Sequence, residues 1–437
     1  MAFKSLIKPE TLVSFGCRGY PWLWLSISTN GYANVVSQIA IGWLALELTG
    51  SPLGVGIAVA CRALPRVVLG VPFGALSDLY DRRVILQLTN FFGVAVAVAA
   101  IAVSAAGGLD FGIIVVIALS VGIFDVAETS VSRALVYDIV GAERALNGIA
   151  LVTFADKLFG VLGALSAGFL LAEFGAVGAF VGMGTAYLMS GLALWGVHSP
   201  RKKGAPGSPT DKTPSSPFKN TFHGITQIGR NRPLSLLAGL AVTMEVLAFS
   251  SDVLLPSFAR DILKVGETGL GTLTAVRSVG GVIGVLIIAS LPATIRKGRL
   301  LLYACIAFGL GLIAFAHTPV MLLAITVMLF IGGMWASVDS LLPTLVQFCV
   351  GDDKRGAAVG VWNLSRGLGP LGHLEVGALG GLVGAAVAQT INGAAVILIV
   401  AAILLYSRGK DISFNQGRKK LDIQESSAPA IDRNPRL

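Results

Sequence analysis

Polar residues along this chain gather in short islands between long apolar runs. The runs fall at about 22–47, 53–76, 84–106, 112–134, 146–171, 176–197, 234–258, 269–292, 300–316, 320–342, 356–382 and 386–406. Each is close to the roughly 20 residues that an apolar helix needs to cross the hydrocarbon core of a bilayer. The islands between most neighbours are only a few residues long, so consecutive helices are antiparallel and adjacent. The pattern predicts an all-α membrane protein with twelve transmembrane helices. The one long interior island, 198–232, is rich in Pro, Ser, Gly and Lys and divides the runs six and six. It predicts an N-terminal six-helix bundle over 1–197, a flexible cytoplasmic linker over 198–232 and a C-terminal six-helix bundle over 233–406. A polar, basic tail covers 407–437. A short amphipathic piece is expected near Phe218–Ile228 of the linker.

Composition sharpens this. The 437 residues are 54% hydrophobic and 13% charged, with a mean hydropathy of +0.78, which excludes a soluble globular protein. A net charge of +9 would suit a nucleic-acid binder, but the basic residues sit in alternate loops. Arg82, Arg83, Arg133, Arg144, Arg296, Lys297, Arg299, Lys354, Arg355 and the linker cations fall on one side. Only Arg260 and Lys264 fall on the other. That bias places both termini in the cytoplasm with an even number of spans, and no nucleic acid is expected as a partner. Tyr20, Trp22 and Trp24 suit the interface at the first entry. Lys4, Lys8 and Arg18 precede no cleavage-site pattern, so the first helix reads as retained. Cys17, Cys61, Cys305 and Cys349 lack metal-ligand spacing. No G-x-x-x-x-G-K-[ST] run is present, so ATP does not drive this chain. Neither a cofactor nor enzymatic chemistry is expected.

The two halves read as a repeat. Gly54, Gly56 and Arg62 recur 215 residues on as Gly269, Gly271 and Arg277, and Asp125 recurs 214 on as Asp339. Arg144 recurs 211 on as Arg355. The order and the slowly shrinking offset suit a parallel six-plus-six duplication. Chance similarity between Gly-rich helices is the alternative.

The stretch Gly74-Ala75-Leu76-Ser77-Asp78-Leu79-Tyr80-Asp81-Arg82-Arg83 resembles the signature loop of the major facilitator superfamily, roughly G-x-L-x-D-x-x-G-R-R. Asp81 stands where that family usually has Gly. Leu48-Thr49-Gly50-Ser51-Pro52, Arg62-Ala63-Leu64-Pro65, Asp352-Asp353-Lys354-Arg355-Gly356 and Gly369-Pro370-Leu371-Gly372 resemble its bacterial drug- and siderophore-exporter branch. The resemblance implies two pseudo-symmetric six-helix bundles, a monomer in a bacterial inner membrane and alternating access. It also implies export of a small drug-like or siderophore-like solute in exchange for protons. It further implies a gate, in which Asp78 caps the start of helix eleven, Arg82 locks Asp78, and Gly74 and Arg355 belong to the same contact. The family's antiporter signature in helix five, G-x-x-x-G-P-x-x-G-G, survives here only as Gly163 and Gly168; those glycines serve equally as close-packing positions.

The charges inside the spans argue for a solute pathway without any family. Arg62, Arg66, Asp125, Glu128, Asp156, Lys157, Glu245, Asp252, Arg277, Arg366, His373 and Glu375 all lie within apolar runs. At roughly 2.5–3.5 kcal/mol each at mid-bilayer, a dozen facing lipid would cost on the order of 30 kcal/mol. That exceeds the roughly 5–15 kcal/mol that holds an ordinary fold together, so most must pair or face an interior cavity. Asp125, Glu128, Thr129 and Ser132 share one face of helix four at i, i+3, i+4 and i+7. Burial and mutual repulsion favour a bound proton on such acids. Asp125, Glu128 and Asp156 are therefore candidates for proton coupling, or for salt bridges to Arg62, Lys157 or Arg366. Arg62 and Arg277 are candidates to grip an anionic group, or to pair with an acid such as Asp252. Glu245, Asp252 and Arg366 complete the candidate substrate cavity. Two readings stay open beside export: uptake of an anionic solute through Arg62 and Arg277, and a non-transporting receptor or assembly factor.

Overall fold

A computed structural model describes residues 9–197, 232–292, 296–349 and 355–409. The linker, its expected amphipathic piece, most of the tail and Asp352–Lys354 lie outside the described residues. Nine described runs are long and apolar enough to cross a membrane. They become twelve helices once three physical features are recognised. The run Ala145–Ala193 is two helices joined at Gly175, whose φ of 60° and ψ of −152° interrupt the helical geometry. The first helix, Tyr20–Thr49, is diluted by Ser26, Ser28, Thr29, Asn30, Asn34 and Ser37. The eleventh is broken between Arg366 and Gly369.

The helices are therefore α1 Tyr20–Thr49, α2 Pro52–Leu79, α3 Arg82–Ala105, α4 Phe111–Val140, α5 145–174 and α6 176–193. They continue as α7 Arg232–Ile262, α8 Gly266–Ser290, α9 Lys297–Ala316 and α10 Met321–Phe348. The last two are α11, made of Arg355–Arg366 and Gly369–Val383, and α12 Ala385–Gly409. Several helices outlast the apolar run that predicts them, because hydropathy marks the hydrocarbon crossing and not the end of the backbone ladder. Thus α4 continues through Tyr137 and Asp138 until Gly141, at φ 76°, ends it.

Capping explains the starts. Ser51 Oγ accepts from the Leu53 N–H at 3.2 Å, and Asp110 Oδ1 from the Ile113 N–H at 2.8 Å. Asp81, the departure from the family's loop pattern, accepts from the Arg83 N–H at 2.9 Å and caps α3. A cap there fixes the tight turn that a glycine would only permit. Gly175 occupies backbone space that is strained for any side chain. Gly175→Ala is expected to lower the thermal midpoint in detergent, by an amount matching about 1–3 kcal/mol of strain.

Each bundle is built around one close crossing. In the N-terminal half, Gly122 of α4 lies against the Arg62 carbonyl of α2; in the C-terminal half, Gly332 of α10 lies against the Arg277 carbonyl of α8. The two crossings occupy corresponding places in the two halves, so the duplication is visible as packing. The α1–α5 interface closes over Gly163, where a Cβ would stand 2.9 Å from the Tyr32 carbonyl oxygen. At the termini end, the Tyr20 hydroxyl donates to the Gly148 carbonyl at 2.7 Å and the Trp24 indole N–H donates to the Leu151 carbonyl at 3.2 Å. They pin the start of α1 to the start of α5.

The halves meet mainly through α2 with α11 and α5 with α8. Both contacts lie at the end of the molecule opposite the termini. A Cβ on Gly377 would sit 3.0 Å from the Gly56 Cα, and a Cβ on Gly271 would sit 3.0 Å from the Gly168 Cα. Backbone therefore touches backbone at two pseudo-symmetric points, and the far end is shut. Phe154, Leu158 and Leu162 on α5 and Leu64, Val67 and Val68 on α2 are exposed.

Candidate functional site

The candidate site lies where the four seam helices diverge below the glycine contacts. Irregular backbone concentrates there. On α7, regular helix over Arg232–Thr243 gives way to a π turn over Met244–Ala248, a 3₁₀ stretch over Phe249–Leu254 and a second π turn over Phe258–Ile262. Pro256, with no N–H to donate, helps to break the regular ladder. Glu245 sits in the first π turn. On α11, the break after Arg366 is closed by Gly367 N–H donating to the Asn363 carbonyl at 3.0 Å, and Pro370 starts the next segment.

Arg62 reaches from α2 to α4. Its Nη2 lies 3.0 Å and its Nε 3.2 Å from Asp125 Oδ2, and its Nη2 also donates to the Asn34 carbonyl of α1 at 3.2 Å. The Asn34 amide donates to Asp125 Oδ1 at 2.5 Å. Both charged side chains are only 10% exposed, so this is an enclosed ion pair with its remaining valences largely filled. In the second half Arg277 pairs with Asp252 of α7. Its guanidinium lies 5.0 Å from the Trp335 ring centre, and Trp335 stacks on Phe249 at 4.6 Å. The same arginine position thus takes its acid from α4 in one half and from α7 in the other.

Asp339, the counterpart of Asp125, accepts from Arg366 Nη1 at 2.8 Å instead. This pair is 36–41% exposed, and Arg366 lies 5.6 Å from the Trp362 ring centre. It is open where the other two are closed. Asp156 of α5 lies 3.8 Å from its neighbour Lys157 and against Gly31 of α1. Glu375 accepts from the Asn392 amide at 3.1 Å.

Arg66, Glu128, Glu245 and His373 make no ion pair or side-chain hydrogen bond among the described residues. Glu128 Oε1 and His373 Nδ1 are buried without a partner. Arg66 is exposed and within electrostatic reach of Asp125 and Arg62 on its own bundle, and of Arg366 and Glu245 on the other. These charges reach one another across the seam, and the space between the bundles there is the candidate chamber.

Of the gate residues, Arg82 Nη1 donates to Asp138 of α4 at 2.6 Å and its Nε donates to the Ser77 carbonyl at 3.2 Å. Gly74 and Asp78 lie in the last turns of α2 and Arg355 begins α11; their side chains lie outside the described residues. Asn34, Asp138, Trp335 and Trp362 are neighbours that sequence reasoning did not single out, while Arg66 and Asp339 were named there, as an in-span charge and as the repeat of Asp125, without a role in the site. Arg66 carried a legible signal, since it follows Arg62 at i+4 and shares its helix face.

The Major Facilitator Superfamily profile matches residues 23–372, most of the chain. The chain belongs to that superfamily. This facilitator is thus an integral, multi-pass membrane transporter and not an enzyme. It is 22% identical to the staphyloferrin A transporter of Staphylococcus aureus, over 90% of this chain and 95% of that protein. It is 25% identical to the multidrug efflux pump Tap of Mycolicibacterium fortuitum, over 80% of this chain and 86% of the other. Among solved structures it resembles a bacterial homologue of the lysosomal transporter Spinster, in an inward-facing, unoccupied conformation. The TM-score is 0.64 at 14% identity, covering 94% of this chain and 99% of that one.

Proposed function

We propose that this facilitator exports a small organic solute in exchange for protons, by rocking its two bundles about the central chamber in a bacterial inner membrane, as a monomer with both termini cytoplasmic. The observation that carries the reading is the combination of a far end shut by backbone contacts with unpaired charges in the chamber below. With the termini inside, that arrangement opens to the cytoplasm, ready to load cargo for export. Similarity to a multidrug efflux pump supports the same direction. Alternating access needs two arrangements of one seam, and the duplicated crossings supply the symmetry for it.

Among the proton-coupling candidates, Asp125 is held by Arg62 and Asn34, and Asp156 has Lys157 beside it. Glu128 has a buried, unpartnered oxygen and lies within electrostatic reach of both acids. A bound proton neutralises it without a cationic neighbour, and releasing that proton needs no ion pair to break. The gate is assigned to Asp78, Arg82, Gly74 and Arg355, with Asp138 holding Arg82 from α4. In this reading Asp78 meets the start of α11 when the chamber faces outward, and inward opening separates them.

Cells carrying the protein are expected to accumulate less of some members of a fluorescent dye panel than cells without it, and a proton uncoupler is expected to erase the difference. Glu128→Gln is expected to reduce export to the uncoupler-treated level at unchanged expression. Asp78→Asn is expected to slow export, also at unchanged expression. Equal accumulation with and without the protein across the panel would return the reading to a receptor or assembly factor. Higher accumulation would return it to uptake.

A further inference from the structure

Most charges in the chamber are matched, and the unmatched ones have a definite arrangement. Arg62, Arg277 and Arg366 each hold an acid. Arg66 holds none among the described residues. The acid of its own bundle within electrostatic reach, Asp125, is already taken by Arg62 through Oδ2 and by Asn34 through Oδ1. Across the seam Arg66 meets Arg366, a second cation, and Glu245, an acid that neither arginine holds in an ion pair. Two guanidiniums from opposite bundles thus lie within electrostatic reach of each other and of one carboxylate that neither holds in an ion pair. Like charges in a partly dehydrated chamber repel strongly, and an oxyanion between them removes that cost.

The geometry points to a carboxylate- or other oxyanion-bearing cargo whose acid group sits between Arg66 of α2 and Arg366 of α11, in competition with Glu245. This rests on the transport reading and names the class of solute. Arg366 is suited to the task. Its guanidinium is oriented by Asp339 on one side and by the Trp362 ring on another, and a guanidinium fork matches a carboxylate with two parallel hydrogen bonds. The Trp362 ring beside Arg366 offers apolar surface for the body of the solute. Glu245 has room to withdraw, because Gly369 beside it bears no side chain; a Cβ there would stand 3.0 Å from Glu245 Oε1. Arg62 and Arg277 do not serve here, because their ion pairs are enclosed, whereas the Arg366–Asp339 pair is the open one. An anion bridging α2 and α11 ties the two bundles together at the chamber.

The test uses the purified full-length protein in detergent. Tricarballylate, 2,3-dihydroxybenzoate and inorganic phosphate are the anionic probes, tetraphenylphosphonium is the cationic control, and the thermal midpoint is the readout. At least one anion is expected to raise the midpoint saturably. Arg66→Ala is expected to weaken that anion by about tenfold or more, the loss of one charge-assisted pair. Arg66→Lys is expected to retain part of the affinity, and Glu245→Gln to tighten it severalfold by removing the competitor. A structural role for Arg66 alone would lower the midpoint without moving the anion's affinity, and Glu245→Gln would leave that affinity unchanged. Stabilisation by tetraphenylphosphonium alone, or equal anion binding by wild type and Arg66→Ala, overturns the proposal. Dye export that persists beside such a result would leave the transport reading standing. Absent export with Arg66-dependent anion binding would remove the transport reading and keep the anion site.

Discussion

Asp125→Asn is expected to destabilise the N-terminal bundle by about 3–5 kcal/mol, because it leaves the Arg62 guanidinium buried without its counter-charge. The pair is 10% exposed on both sides, so water cannot take over the lost role. Removing both charges together, as Arg62→Met with Asp125→Leu, is expected to recover most of that loss and to be near neutral for folding. Thermal unfolding of the purified protein, read by tryptophan fluorescence, measures both. The more open Arg366–Asp339 pair gives the contrast: Asp339→Asn is expected to cost far less stability. A large loss for Asp339→Asn and a small one for Asp125→Asn would reverse the assignment of structural and chamber-facing pairs.

The second large effect is expected at the far-end seam. Gly56→Val or Gly271→Val puts a side chain where the opposing helix backbone already stands, 3.1 Å from the Gly377 Cα in one case and 3.0 Å from the Gly168 Cα in the other. Overpacking of that kind costs about 1–3 kcal/mol, and 1.4 kcal/mol is a factor of ten in a two-state population. Only the state closed at the far end pays that cost. The variants are expected to shift the population toward the state open there by about tenfold or more and to lower the transport rate correspondingly. Labelling of a cysteine introduced on the chamber wall, by a membrane-impermeant thiol reagent added from the far side, reports the shift. Unchanged labelling would mean that the seam is not the gate.

Much of this architecture was written plainly in the chain. A bilayer forces every span to be long and apolar, so the twelve runs stand out. The break in α11 did not, because Gly367-Leu368-Gly369-Pro370 reads equally well as helix packing. The length of α4 and α10 was also hidden, since hydropathy falls before the backbone ladder ends. At the site, periodicity placed Asp125 and Glu128 on one helix face, yet could not say that Arg62 lay opposite one while an oxygen of the other stayed buried without a hydrogen-bond partner. Partner choice between helices depends on depth and rotation, and neither leaves a mark in a single sequence. Asp339 shows the limit. The duplication identified it as the echo of Asp125, but the two take different arginines, because α11 breaks beside Arg366 while α5 carries no arginine at that place. Asp81 shows the converse, a local departure from a family pattern whose reason is a helix cap that any sequence reader can check.

The glycine seam has one consequence for leakage. At both points the nearest atoms across the seam are backbone, and a Cβ on Gly377 or Gly271 would stand 3.0 Å from the opposing glycine Cα, so no gap is left there for a water wire. A barrier sealed by closeness lets the membrane potential fall across it without being short-circuited while cargo is loaded.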